Sequence, residues 1–250
     1  MDYYLFQVQN DASLNKVRHA LEKRGLRDIF IIEDDATGDT FIGGHANTAI
    51  TVPDALLIEH KKATVDWHEQ WALFAENFTD GKAHIALGDK TLLLTPGAGF
   101  GDLSHPTTYL MLEMLKKHVV GEPIIDIGTG SGILALAALL LGAKSAIGID
   151  IDAAAIKHAK QNAKLNQLKA TFAKRLPKRL PKSILLMNMI LPEQRAFGPE
   201  QLNPLAKLWI VSGILDSQRK EYLIQAQKWG WQLVSEQKRS EWLGLVFNIR

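Results

Sequence analysis

Three glycines at alternate positions, Gly128, Gly130 and Gly132, lie between two acids, Asp126 before them and Asp150 after them, and an amide, Asn188, closes a later apolar run. Glycines in that pattern let a chain turn sharply from a buried strand into a helix. The N–H groups at such a helix start form a site for an anion or a polar ligand head. A carboxylate about 20 residues past the turn commonly accepts hydrogen bonds from a ribose diol. A nucleoside-bearing cofactor is therefore expected here. A dinucleotide fingerprint would carry a third small residue where this chain has Ile133, and Asp126 adds negative charge beneath the turn that suits an ammonium group. These residues favour S-adenosylmethionine over a dinucleotide, and a turn without a ligand is the remaining reading.

The elements around these residues follow from the apolar pattern. Ile124–Ile127 reads as a buried strand, Ile133 onward as a helix capped by Gly142, and Ser145–Ile149 as a second strand ending at Asp150. A helix over Ala153–Asn166 carries Lys157, Lys160 and Lys164 on its outer side, and Lys169–Phe172 forms a third strand. Ser183–Met189 is a fourth, with Asn188 at its carboxyl end, where ligands sit in a doubly wound sheet. The Asn188 carbonyl would orient a substrate amine, or else Asn188 caps the helix that begins near Pro192. Leu208–Ser212, a helix from about Asp216 to Lys228, Trp231–Glu236 and Leu243–Ile249 complete the sheet, with the last strand antiparallel. Upstream, Ala83–Leu94 reads as a hairpin turning at Gly88-Asp89. Thr95–Thr108, broken by glycine and proline, brings His105, Thr107 and Thr108 to a helix entry. It is either a linker or a loop folded over the cofactor. Ala173–Lys182 contains KRLP twice, and its charge and prolines predict an exposed loop.

The first 55 residues suggest a small α+β recognition module: Tyr3–Val8, a helix capped by Ser13 and closed by Gly25, Ile29–Ile32 and Thr40–Ile42. Residues 56–80 read as a linker with an interdomain helix over Val65–Phe78, which displays Trp67, Trp71 and Phe74 beside His68 and Glu69. Residues 81–250 form the cofactor-binding domain. The chain has 250 residues, with 29 basic and 27 acidic side chains, so its net charge of +2 demands neither nucleic acid nor an anionic membrane. It has no cysteine, which excludes a disulfide framework, a thiolate metal site and a cysteine nucleophile. No metal site is expected. Nothing reads as a signal peptide or membrane span, and a cytoplasmic location is expected.

These motifs together resemble the PrmA-type methyltransferases that modify the L-eleven protein of the large ribosomal subunit. Pro96, Gly97, Phe100, Gly101, His105, Thr107 and Thr108 match one family signature, and Asp126 to Ala135 a second. Gly148–Asp152, Asn162-Ala163, Asn188 with Met189 and Ile190, Ser212–Leu215 with Gln218, and Trp242 match the rest. The family has Thr-Gly where this chain has Asp102-Leu103, and Ala at Gly99. The resemblance implies a seven-stranded Rossmann-like, S-adenosylmethionine-dependent methyltransferase domain with a small N-terminal ferredoxin-like module that grips the substrate. It implies that Thr108, Gly128, Gly130, Asp150 and Asn188 contact the cofactor or the reacting pocket. The implied reaction is N-methylation of lysine or α-amino groups of a large-subunit ribosomal protein. Apart from the resemblance, the charged KRLP loop reads as a solvated loop, with contact between ribosomal RNA and Lys174, Arg175, Lys178 and Arg179 as the alternative. The alternatives are a different protein substrate or a pseudo-enzyme that binds the ribosome.

Overall fold

A computed structural model of the chain describes residues 2–9, 13–33, 37–61, 75, 77–101 and 105–249. It divides into two units, Met1–Val65 and Asp66–Arg250.

In the first unit, β1 (Asp2–Val8), β2 (Arg27–Glu33), β3 (Thr40–Ala46) and β4 (Ala55–Lys61) form an antiparallel sheet in the order β2-β3-β1-β4. The helix α1 (Leu14–Lys23) packs Val17 and Leu21 against Tyr4, Phe6 and Ile42. Alternation explains the sheet: Tyr4 and Phe6 point to the helix, while Tyr3, Leu5 and Gln7 lie on the other face. Gly25, at φ +97°, ends α1, as expected. Ser13 occupies the N-cap position, but its side chain makes no capping bond, and only its carbonyl is used, by Lys16 and Val17. The strand order is that of a split β-α-β unit. The second helix of a full ferredoxin-like module is missing, because residues 47–54 run as bends and turns. The sheet extends to Lys61, through residues that the sequence placed in the linker, because β4 pairs with β1 from Tyr3 to Val8. The proposed interdomain helix, with Trp67, His68, Glu69, Trp71 and Phe74, lies outside the described residues. Phe78 begins a strand instead of ending a helix.

The second unit opens with a three-stranded antiparallel sheet, β5 (Phe78–Thr79), β6 (Lys82–Leu87) and β7 (Lys90–Leu94), with the expected turn at Gly88-Asp89. Its main sheet has seven strands: β8 (Pro123–Ile127), β9 (Ser145–Ile149), β10 (Thr171–Ala173), β11 (Ser183–Asn188), β12 (Ala206–Leu215), β13 (Trp231–Arg239) and β14 (Trp242–Ile249). Their order is β10-β9-β8-β11-β12-β14-β13, parallel except for β14, which is antiparallel to both neighbours. Strands β8 and β11 are apolar at almost every position because both faces are covered. Ile124, Ile184 and Leu186 face α2 (Pro106–His118), α3 (Ile133–Leu140) and α4 (Ala153–Leu165). Ile125, Ile127, Leu185 and Met187 face α5 (Leu191–Phe197) and α6 (Arg219–Lys228).

β12 runs past the expected end at Ser212. A register shift between Val211 and Ile214 absorbs Gly213, at φ +86°, and pairing with β14 resumes. Residues 174–182 contain no helix or strand, as expected from their prolines. Among the described residues, no helix is long and apolar enough to cross a membrane.

Candidate active site

A cavity of about 850 Å³ opens at the carboxyl ends of β8, β9 and β11. Strand order reverses between β8 and β11, the place where a doubly wound sheet leaves room for a ligand. Gly128 and Gly130 form one wall, Asp150 and Ile151 a second, and Asn188, Met189 and Ile190 a third. Phe100, His105, Thr107, Lys174 and Trp242 are among the other residues that line it.

The amides of the glycine turn itself are occupied within the protein. Four consecutive amides already donate within the protein: Thr129 to the Ile149 carbonyl (2.9 Å), Gly130 to Asp150 Oδ2 (3.0 Å), Ser131 to the Phe100 carbonyl (2.8 Å) and Gly132 to the Thr129 carbonyl (2.8 Å). None of these four is left for an anion. The turn presents a smooth backbone wall, which suits a cofactor without a pyrophosphate.

Asp150 ties that wall together. Its Oδ2 accepts from Gly130 and its Oδ1 from the Asp152 amide at 2.9 Å. Each oxygen keeps a second lone pair, which is what a ribose diol requires. Asp126 lies behind the turn, fully buried, and does not line the cavity. Burial pushes its carboxyl up to about 7. A 2.6 Å hydrogen bond donated by the Thr129 hydroxyl, together with the backbone amide of Ala135, opposes the shift, and the nearby Asp150 charge adds to it. Its Oδ1 has no hydrogen-bond partner among the described residues. Near neutral pH Asp126 is therefore a brace that is only partly charged, not the full negative charge the sequence suggested.

Residues 95–101 fold over the cavity instead of passing it as a linker. They are clamped by a polar stripe on α4 that the sequence reading missed. His158 donates from Nε2 to the Thr95 carbonyl (2.7 Å) and accepts at Nδ1 from the Gly99 amide (3.1 Å), so its ring is neutral with the proton on Nε2. Burial lowers its pKa, and the Thr95 carbonyl opposes that shift. Asn162 accepts from Thr95 N and Oγ1 (both 3.0 Å) and donates to the Ser131 carbonyl (2.9 Å). Asn166 pairs with both backbone groups of Leu93, at 2.8 and 2.6 Å. The signal was present in the spacing: His158 and Asn162 lie beside Ala155, Ala159 and Ala163 on the buried face, and Asn166 follows four residues later as the C-cap.

At the entry to α2, His105 takes the N-cap position and accepts at Nδ1 from the Thr107 amide (3.3 Å) and hydroxyl (2.8 Å). Its ring meets Phe100 and Trp242 edge-on, at 5.4 and 5.0 Å between centroids. Of the residues expected to meet the cofactor, Gly128, Gly130, Asp150 and Asn188 come together on the cavity wall. Thr108 is fully buried with its Oγ1 unpaired among the described residues, and Thr107 lines the cavity in its place. The helix-capping alternative for Asn188 does not hold, because Ile190 is the N-cap of α5. Asp102 and Leu103 lie outside the described residues.

The model of the family described as "Ribosomal protein L11 methyltransferase (PrmA)" matches residues 79–250. The chain belongs to this family. Among PrmA relatives, a protein named ribosomal protein L11 methyltransferase from Thermotoga neapolitana is 29% identical over 87% of this chain and 88% of its own length. One of the same name from Pseudomonas paraeruginosa is 39% identical over 60% of this chain, which spans 57% of that protein. A crystal structure of ribosomal protein L11 methylase from Lactobacillus delbrueckii subsp. bulgaricus is 30% identical, with a TM-score of 0.57, covering 63% of this chain and 84% of that one. The PrmA match begins at Thr79, the last residue of β5, so it covers most of the second unit and leaves the first unit outside.

Proposed function

We propose that this chain is an S-adenosylmethionine-dependent methyltransferase that N-methylates lysine or α-amino groups of a large-subunit ribosomal protein in the cytoplasm. The observation that carries the reading is Asn188. Its carboxamide lines the cavity and, among the described residues, is engaged by no hydrogen bond. An amide held open at that point is available to a ligand.

The cavity fits the cofactor. Asp150 would hold the ribose, and Ile151, 92% exposed beside it, offers an apolar face to a flat base. Gly128 and Gly130 give close backbone approach for the methionine end. S-adenosylmethionine, when bound, supplies a methyl group on a positively charged sulfur that departs as a neutral thioether. The protein therefore has little acid–base work to do. Asn188 Oδ1 would accept an N–H of the incoming amine and aim its lone pair along the methyl axis. Ile127, Ile149, Met189 and Ile190 surround that point with apolar surface, which disfavours an ammonium and releases the neutral amine.

The first unit would serve as the substrate-recognition module, followed by a linker and the methyltransferase domain. Exchanging residues 1–61 for those of an active relative should change which protein is labelled.

A contact with ribosomal RNA is favoured by the shape of the KRLP repeat. Leu176 and Leu180 turn inward onto the apolar cluster beneath, while Lys174, Arg175, Lys178 and Arg179 are exposed, with no ion pair to any described residue. Of these four, Lys174 also lines the cavity.

The test is incubation of the protein with radiolabelled methyl donor and unmethylated ribosomes, followed by mapping of the label. Label on amines of one large-subunit protein is expected. No transfer, together with no cofactor binding at millimolar concentration, would overturn the reading in favour of a pseudo-enzyme.

A further inference from the structure

The last paired residues of β11 and β12 are Asn188 and Ser212, and beyond them the ladder stops. The carbonyls of Met189 and Ser212 at that point are taken by a side chain from α5. Gln194, fully buried, donates its Nε2 to Met189 (2.6 Å) and to Ser212 (2.9 Å). Its Oε1 accepts from the hydroxyl of Tyr222 on α6 at 2.6 Å, and Tyr222 is fully buried too.

The orientation of this group is fixed by donor and acceptor counting. Two carbonyls can only accept, so the amide nitrogen must face them. The amide oxygen must then face Tyr222, whose hydroxyl must donate. Gly213 tightens the same crossing, since a Cβ there would collide with the Met189 carbonyl. Every polar function of Gln194 is satisfied, and every partner is backbone next to the cavity wall or the hydroxyl that holds it.

We infer that Gln194 and Tyr222 are positioning residues, whose amide–hydroxyl pair replaces the missing rung between β11 and β12 and so holds Asn188, Met189 and Ile190 in place on the cavity wall. Without that rung, the buried Ser212 carbonyl and the part-buried Met189 carbonyl would both lose the donor that Gln194 supplies, and the segment would shift to find another. A displacement of about 1 Å at a reacting group costs up to roughly 100-fold in rate. The catalytic consequence rests on the methyltransferase reading above; the geometry does not.

The experiment compares the intact protein with Tyr222→Phe, which removes one hydroxyl and keeps the ring, and with Gln194→Met, which keeps the length and removes all three bonds. Steady-state methyl transfer, S-adenosylmethionine affinity and amide hydrogen exchange are measured on each. We expect kcat to fall about 5- to 10-fold in Tyr222→Phe and more in Gln194→Met. Cofactor Kd should stay within about twofold, and exchange should speed up at residues 189–191 while α3 and α4 are unchanged. If both variants keep kcat within about twofold and exchange at 189–191 is unaltered, the inference is wrong. Should Gln194→Met fail to fold, Tyr222→Phe alone decides. If the unmodified protein transfers no methyl group, the proposed activity falls, and faster exchange at 189–191 in the variants would still establish the positioning role.

Discussion

Ser131 and Phe100 join two glycine-rich loops backbone to backbone: the Ser131 amide donates to the Phe100 carbonyl at 2.8 Å. The Ser131 hydroxyl adds a bond to the Gly101 carbonyl at 3.0 Å. The turn after β8 and the loop before α2, 30 residues apart in the chain, are thus one surface. That surface needs a glycine at position 130, because φ is +53° and a Cβ would overlap the Phe100 carbonyl.

Gly130→Ala should therefore separate the loops. We expect a loss of about 1–3 kcal/mol in unfolding free energy. Cofactor affinity should fall at least about tenfold, which is the larger diagnostic. Chemical denaturation and calorimetric titration measure the two.

Asn188 and Asp150 should fail in different ways. Asn188→Ala removes a group that acts on the reacting amine, so kcat should drop on the order of 100-fold with cofactor Kd nearly unchanged. Asp150→Ala removes the acceptor for the Gly130 and Asp152 amides together with the ribose contact, so Kd should rise by about 100-fold. Single-turnover kinetics with saturating cofactor separates them. Equal effects of both variants on Kd would count against the assigned roles.

Asp126 makes stability depend on pH. Its folded pKa is raised to about 7 from an ordinary 3.8, so the folded state holds a proton that the unfolded chain releases first. The stability it lends is complete below about pH 4 and is lost as pH rises through 7. Asp126→Asn keeps an acceptor for Thr129 and never ionises. Relative to the unmodified protein, it should gain on the order of 2–4 kcal/mol between pH 4 and 8. Urea melts across that range provide the check, and a constant difference would refute the assignment.

His158 contributes with the opposite sign. Burial lowers its pKa in the folded protein, so its contribution is present above about pH 6.5 and is lost as pH falls through the lower, folded value. Protonation puts a hydrogen on Nδ1, where the Gly99 amide already points. Cofactor binding should weaken as pH falls through that lowered value, through release of residues 95–101. His158→Gln, which cannot titrate, should bind less tightly at neutral pH but lose that acid dependence. An unchanged acid limb in His158→Gln would exclude His158 as its source.

The sequence by itself determined most strands of the main sheet, the glycine turn, and the placing of Gly128, Gly130, Asp150 and Asn188 on the cavity wall, whereas β4, β5 and the exchange of Thr108 for Thr107 were left to the fold. Continuous apolar runs such as Ile184–Met187 have to be buried on both faces, and the alternate glycines mark where the chain turns from β8 into α3. Asp150 and Asn188 sit at strand ends, which a parallel sheet gathers on one side. Each of these is a local property, readable from composition and period. The tertiary structure alone decided which polar groups are free. The four amides of Thr129–Gly132 are consumed by Ile149, Asp150, Phe100 and Thr129, three of these acceptors outside the turn. Asp126 looked charged until burial raised its pKa. His158 and Gln194 carried no evident role, because their partners lie 59 and 63 residues away in one case and 5, 18 and 28 in the other. Hydrogen-bond satisfaction and desolvation depend on neighbours in space, and only the folded chain supplies them.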